Sequence, residues 1–321
     1  MAEGLLAPME SLAASGLSRS AWRPLPQDLA IALFALEFAG FSFAFPDSGP
    51  VTAIGLPRGF VVGALFIAVA ALALLVPFAK RDAPAPLAFV RTFYPQLLLI
   101  LFFEESILLS VGVSHGLVHD QEIAAIDKAL FGFQPSRRFH EGLARFPAIN
   151  ELMFGGYFLY YVMFAVTPWL AFLQGRREEA EREIFVYVAM MALIFTWYLL
   201  YRVEGPKYWF PDLKSQGYAE FSGDLFVPFF RNVFRNTELY GAAFPSTHVA
   251  FSLLMTIYAA RTRRSLLWIY VPAFALVAAA TVYIYAHYFT DILGGIAATT
   301  LLAPPLLRAY PAMRDWLRRK P

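Results

Sequence analysis

Cysteine is absent from the 321-residue chain. That excludes disulfides and thiolate metal sites and leaves the redox compartment open. Charge is scarce as well: Asp, Glu, Lys and Arg make up 16% of the residues against 59% hydrophobic, and mean hydropathy is +0.54. A water-soluble domain of this length carries more charge and fewer long apolar runs, so the composition is that of an integral membrane protein. Bases and acids nearly cancel, 26 against 24, for a net charge of +2. Such a balance gives no reason to expect nucleic acid as a partner. The first 27 residues lack the basic start and clean apolar core of a cleaved signal peptide. There is no internal repeat, low-complexity tract or second domain.

What is present is a succession of apolar runs. Candidate spans fall at 28–46, 59–79, 92–112, 151–174, 183–203, 246–261, 265–286 and 289–308. They predict an all-α fold, a polytopic membrane helical bundle of about eight transmembrane helices. The expected organisation is an N-terminal segment 1–27, two peripheral helices within 28–91, a six-helix catalytic core over 92–310 and a basic tail 311–321. Pro272, Pro304 and Pro305 fall inside spans and predict kinks. Lys and Arg weigh more heavily on the side of both termini, which puts the termini in the cytoplasm. Loops 113–150 and 204–244 then face the exterior, periplasm or lumen.

The first of these loops contains DQEIAAIDKALFG, which places Ile123, Ile126, Ala129 and Leu130 on one face of a helix lying on the bilayer. The second is rich in aromatics and proline and reads as a cap facing a headgroup. Glu104 and Glu105 stand near the middle of the third span. Carboxylates at that depth are costly and are candidates for function. Alternatively they lie nearer the outer surface and pair with outer-side arginines. Tyr157, Tyr160 and Tyr161 read as packing and interfacial aromatics.

The chemistry concentrates at 244–291. An apolar arm runs from His248 to Ala260, Arg261, Arg263 and Arg264 make a turn, and a second arm returns to Ala286 beside His287. Each arm is roughly a membrane thickness, so both imidazoles reach one bilayer surface. His287 and Asp291 are four apart, one helical turn, so the carboxylate can take the ring N–H, fix the tautomer and free the other nitrogen as nucleophile or base. Gly294 and Gly295 let another helix approach closely. Pro245 opens a helix whose unpaired first-turn amides, with the Ser246 and Thr247 hydroxyls, suit an anion. His248 at its edge is placed to protonate a departing oxygen. Lys207 and Lys214, on the same side, are suited to phosphate oxygens. The set fits phosphoryl transfer at a membrane surface, with no metal ligand set in the sequence.

Phe244-Pro245-Ser246-Thr247-His248 resembles the P-S-x-H motif of the type 2 phosphatidic acid phosphatase (vanadium haloperoxidase-like) superfamily. His287 and Asp291 match the H-x-x-x-D end of its third motif, and Lys207 with Lys214 resembles its first motif, K-x6-R-P, with lysine in the arginine slot and Ser215 in the proline slot. HYFTDILGG and the 127–135 run DKALFGFQP are most similar to the inositol phosphorylceramide synthase branch. The resemblance covers about residues 92–308. It implies a phosphohistidine on His287, oriented by Asp291, with His248 protonating the leaving group and Lys207, Lys214, Ser246 and Thr247 at the phosphate. It also implies no cofactor, with vanadate as a phosphate-mimic inhibitor. Thr281 occupies the slot of the third-motif arginine. Arg202, Arg231 or Arg235 could substitute, or the pocket is tuned to a phosphodiester, which carries less charge than a monoester.

The leading expectation is therefore a metal-independent phosphotransferase acting on lipid headgroups, with a lipid phosphate donor and water or an alcohol as acceptor. A lipid phosphate or polyprenyl pyrophosphate phosphatase is the alternative within enzymes. A lipid or small-molecule transporter is the alternative outside them, suggested by Glu104 and Glu105 and opposed by the lack of paired inverted halves.

Overall fold

The computed structural model describes residues 24–49, 55–75, 85–236 and 240–319; the segment read as lacking a signal peptide lies largely outside these described residues. Its helices are α1 (Pro26–Ala44), α2 (Arg58–Leu75), α3 (Ala85–Val113), α4 (Asp120–Phe131), α5 (Pro135–Arg138), α6 (Pro147–Leu173), α7 (Arg177–Leu200), α8 (Pro206–Trp209), α9 (Pro211–Gln216), α10 (Phe226–Asn236), α11 (Thr247–Thr262), α12 (Leu267–Tyr283) and α13 (Phe289–Arg319). Among the described residues the strand-like pairing is limited to isolated bridges from Val203 to Gly241 and Ala242. The fold is an all-α polytopic bundle. Among the described residues seven helices are long and apolar enough to cross a membrane: α1, α2, α3, α6, α7, α12 with the turn before it, and α13.

The sixth predicted span, 246–261, is α11 and differs from the rest. Its 16 residues make about 24 Å of helix, shorter than a bilayer core. It packs on α6, α7, α12 and α13 and buries Val249, Ala250, Phe251, Leu254 and Met255 completely. A helix enclosed by protein on its sides needs no lipid-matched length. The segment expected as a basic tail continues α13 as helix to Arg319, through Pro304, Pro305 and Pro311.

The first two helices divide in role. α1 is buried at Ile31, Phe34 and Phe38, and Phe34 stacks on Phe102 of α3 with centroids 4.1 Å apart, while Phe66 of α2 stacks on the same ring at 4.8 Å. Such stacked and edge contacts add about 1 kcal/mol each beyond burial. So α1 belongs to the core and α2 is the outer layer.

Because α11 and α12 are antiparallel, Arg261–Arg264 lie at one end, where Arg176 reaches Thr262 and Arg314 pairs with Glu178. The other end gathers α4, residues 201–236 and 240–246, and the turn between α12 and α13. There α4 leaves Ile126 and Leu130 45% and 58% exposed, whereas Ile123, expected on the same outward face, is buried together with Asp120 and Asp127.

Candidate active site

Local geometry at the α12–α13 turn sets the first histidine. Tyr285 takes a left-handed backbone (φ 45°), which reverses the chain two residues before His287. The amides of Ala286 and His287 both donate to the Thr281 carbonyl at 3.0 Å. Thr281, in the slot where an arginine was expected, thus contributes its main chain; its hydroxyl is turned back to Ala278 O.

His287 and Asp291 do meet, although not on one helical turn as the spacing suggested. α13 starts at Phe289, the amide of Tyr288 donates to Asp291 Oδ2 (2.8 Å), and the same oxygen lies 3.2 Å from His287 Nδ1. Ala243 O is 2.9 Å from Nδ1 as well. Both neighbours are acceptors, so Nδ1 carries the proton and Nε2 is left with its lone pair.

His287 Nε2 faces His248 Nδ1 at 3.4 Å. His248 is held in the first turn of α11, whose N-cap is Ser246, accepting from the Val249 amide. The helix begins two residues later than Pro245, and the amides of its first turn lack helical acceptors. Tyr157 stacks over the His248 ring at 4.3 Å, with Tyr160 at 4.5 Å and Tyr161 edge-on at 5.9 Å. What lets α11 stand this close to α13 is the glycine pair. A Cβ on Gly295 would sit 2.7 Å from Ser246 O, and one on Gly294 would sit 2.6 Å from the Phe244 ring.

A cavity of about 70 Å³ opens on both imidazoles, lined among others by Thr247, Lys207, Glu204, Tyr208, Phe234 and Tyr240. Lys207 is 6% exposed, with its Nζ over the rings of Phe234 (4.0 Å), Tyr218 (4.6 Å) and Tyr208 (5.0 Å). No carboxylate pairs with it among the described residues, and burial pushes its ammonium down to about 7.

The remaining candidates separate. Thr247 lines the cavity, whereas Ser246 is buried beneath it as the helix cap. Lys214 is exposed, its Nζ 6.0 Å above the Tyr240 ring. Arg202 is buried against Glu204 (3.0 Å) and lies over Tyr240. Arg231 donates to the carbonyls of Tyr218 and Phe221 and ties the cap together, and Arg235 is exposed on α10. Glu105 forms a two-point pair with Arg58, and Glu104 is exposed on α3, so the arginine-pairing alternative describes Glu105.

Sequence reasoning passed over several lining groups. Tyr157, Tyr160 and Tyr161 read in the sequence as packing and interfacial aromatics, and what they pack is the His248 ring. Glu204 stands three residues before Lys207, and no sequence signal marked it or Tyr240 as facing the cavity. Among the described residues no three His, Asp or Glu side chains gather as a metal site.

Neither a curated protein nor a solved structure matches the chain. A family profile described as PAP2 superfamily matches residues 121–304, a stretch that contains His248, His287, Asp291, Lys207, α4 from its second residue, helices α5 to α12 and the first half of α13. With more than half of its length inside that match, the chain belongs to the PAP2 superfamily and is an integral membrane enzyme of the lipid phosphatase or phosphotransferase type.

Proposed function

We propose that the protein transfers a phospho-headgroup from a lipid donor to an alcohol, by way of a covalent phosphohistidine on His287, at the non-cytoplasmic membrane surface. The observation that carries this reading is the Nε2–Nδ1 approach of His287 and His248 at 3.4 Å, with the far side of His287 held by Asp291 and Ala243 O. His287 Nε2 attacks phosphorus, the P–N bond forms, and the P–O bond to the leaving group breaks as His248 delivers its proton to that oxygen. The acceptor hydroxyl then gives its proton to His248 and attacks phosphorus, and the P–N bond breaks. Lys207, Thr247 and the α11 amides hold the non-bridging oxygens, and vanadate inhibits by taking their place.

The preference for a phosphodiester, as in the inositol phosphorylceramide synthase branch, rests on the lining. Lys207 is the one Lys or Arg there among the described residues, and it shares the cavity with the Glu204 carboxylate. A singly charged diester meets less repulsion in that setting than a dianionic monoester. The test is rapid quench with headgroup-labelled phospholipid and several alcohols, followed by mass spectrometry. An acid-labile, base-stable phosphoprotein absent in His287→Ala, with a new phosphodiester lipid as product, is expected. Orthophosphate as the main product would make the enzyme a phosphatase, and full activity in His287→Ala would end the proposal.

A further inference from the structure

The inward face of α4 holds two fully buried carboxylates that the proposed chemistry does not use. Asp120 and Asp127 are seven residues apart, two helical turns, and therefore point the same way. Each clasps a different half of the site. Asp127 accepts from the amides of Phe289 (2.9 Å) and Thr290 (2.8 Å), from the Thr290 hydroxyl (2.6 Å) and from Gln134 Nε2 (2.9 Å). It is a cap for α13 supplied from another helix, acting on the turn that carries Asp291. Asp120 accepts from the amides of Glu204 and Gly205, both at 2.8 Å, and from the Tyr288 hydroxyl at 2.9 Å.

The Gly205 backbone (φ 92°) is pressed against the Ala286 carbonyl, where a Cβ would sit at 2.9 Å. Two residues on, the Lys207 amide donates to Tyr285 O. One carboxylate thus fixes the spacing between the lysine segment and the His287 turn, and the other fixes the start of the helix behind His287.

We infer that Asp120 and Asp127 are positioning residues for the proposed phosphoryl transfer, with α4 acting as a clamp that holds Lys207, His287 and Asp291 in register. This rests on the histidine reading above. The charge is what matters: the two carboxylates accept seven contacts, six from the 204–205 and 288–290 segments and one from Gln134, so every oxygen of both faces a donor. An Asn turns one oxygen into a donor that faces other donors.

The test uses the full chain in detergent or nanodiscs with a labelled donor phospholipid and an alcohol acceptor. Asp127→Asn and Asp120→Asn should each lower kcat about 100-fold, the cost of misplacing a reacting group by about 1 Å. The donor KM should stay within about twofold, and Glu122→Gln on the outward face of α4 should leave kcat unchanged. Asp127→Asn added to Asp291→Asn should cost little more than Asp291→Asn alone, because both act through the same imidazole. Wild-type kcat in both Asn variants would overturn the clamp, as would losses that multiply in the double variant. A loss of kcat that comes with a lowered thermal midpoint and a raised donor KM, the signature of general loosening of the fold, would also overturn it. Failure of the histidine reading is separate: it shows as full turnover in His287→Ala, whatever the α4 variants do.

Discussion

Lys207 makes the pH dependence of the enzyme predictable. Its ammonium is enclosed by three aromatic rings without a carboxylate partner among the described residues, and burial lowers it from 10.5 to about 7. At about 1.4 kcal/mol for each tenfold change, the charged form bears a penalty on the order of 5 kcal/mol, which the ring faces partly offset. The folded protein then binds fewer protons than the unfolded chain between about pH 7 and 10.5, so stability rises with pH across that window and the cost is complete below it. Lys207→Met should accordingly raise the thermal midpoint most near pH 6.5 and hardly at all near pH 10, while losing vanadate affinity.

In the wild type an arriving anion stabilises the protonated lysine. Vanadate binding at pH 8 should therefore take up a fraction of a proton, measurable by calorimetry in buffers of different ionisation heat. Above pH 7, kcat/KM should fall by about tenfold per pH unit as the free enzyme loses the ammonium. Lys207→Arg should flatten that limb, because a guanidinium stays charged throughout. An identical alkaline limb in Lys207→Arg, or no stability gain in Lys207→Met, would refute this account of the pocket.

Two further outcomes follow from the packing. Gly295→Val places carbon against Ser246 O and Val249, at 2.7 and 3.0 Å for the Cβ alone, and should separate α11 from α13. Turnover should drop at least about 100-fold with His248 displaced from His287, and vanadate should no longer raise the thermal midpoint. Arg58→Ala leaves the Glu105 carboxylate, 7% exposed, without its partner. It should cost about 3 kcal/mol in stability with kcat intact, and Arg58→Met combined with Glu105→Leu should regain most of the loss. A kcat loss in Arg58→Ala would instead tie that pair to catalysis or transport.

How far the site could be read in advance depended on whether function was local in sequence. His287 and Asp291 were legible because four residues separate them, yet the reason they meet is a turn and a cap, not a shared helical face. The opposition of His248 and His287 followed from two antiparallel arms, each taken as roughly a membrane thickness. The glycine pair that allows it was also visible, because close approach of backbone is the usual reason for adjacent glycines in an apolar helix. By contrast, the depth of Glu105 depended on Arg58, 47 residues away, and no spacing rule reaches that far.

The helix α4 shows the limit most clearly. Apolar periodicity gave it one face of Ile123, Ile126, Ala129 and Leu130, turned to the bilayer, and said nothing of what the opposite face would do. A helix lying on a bilayer turns its apolar residues out to lipid. Ile126 and Leu130 can face outward at no cost, and the protein interior is where the unpaired amides of two neighbouring segments need acceptors. At such a boundary the buried face of a helix is decided by which polar groups its neighbours leave unsatisfied. Here those groups are the first amides of α13 and the amides ahead of Lys207, and Asp120 and Asp127 are the residues that answer them.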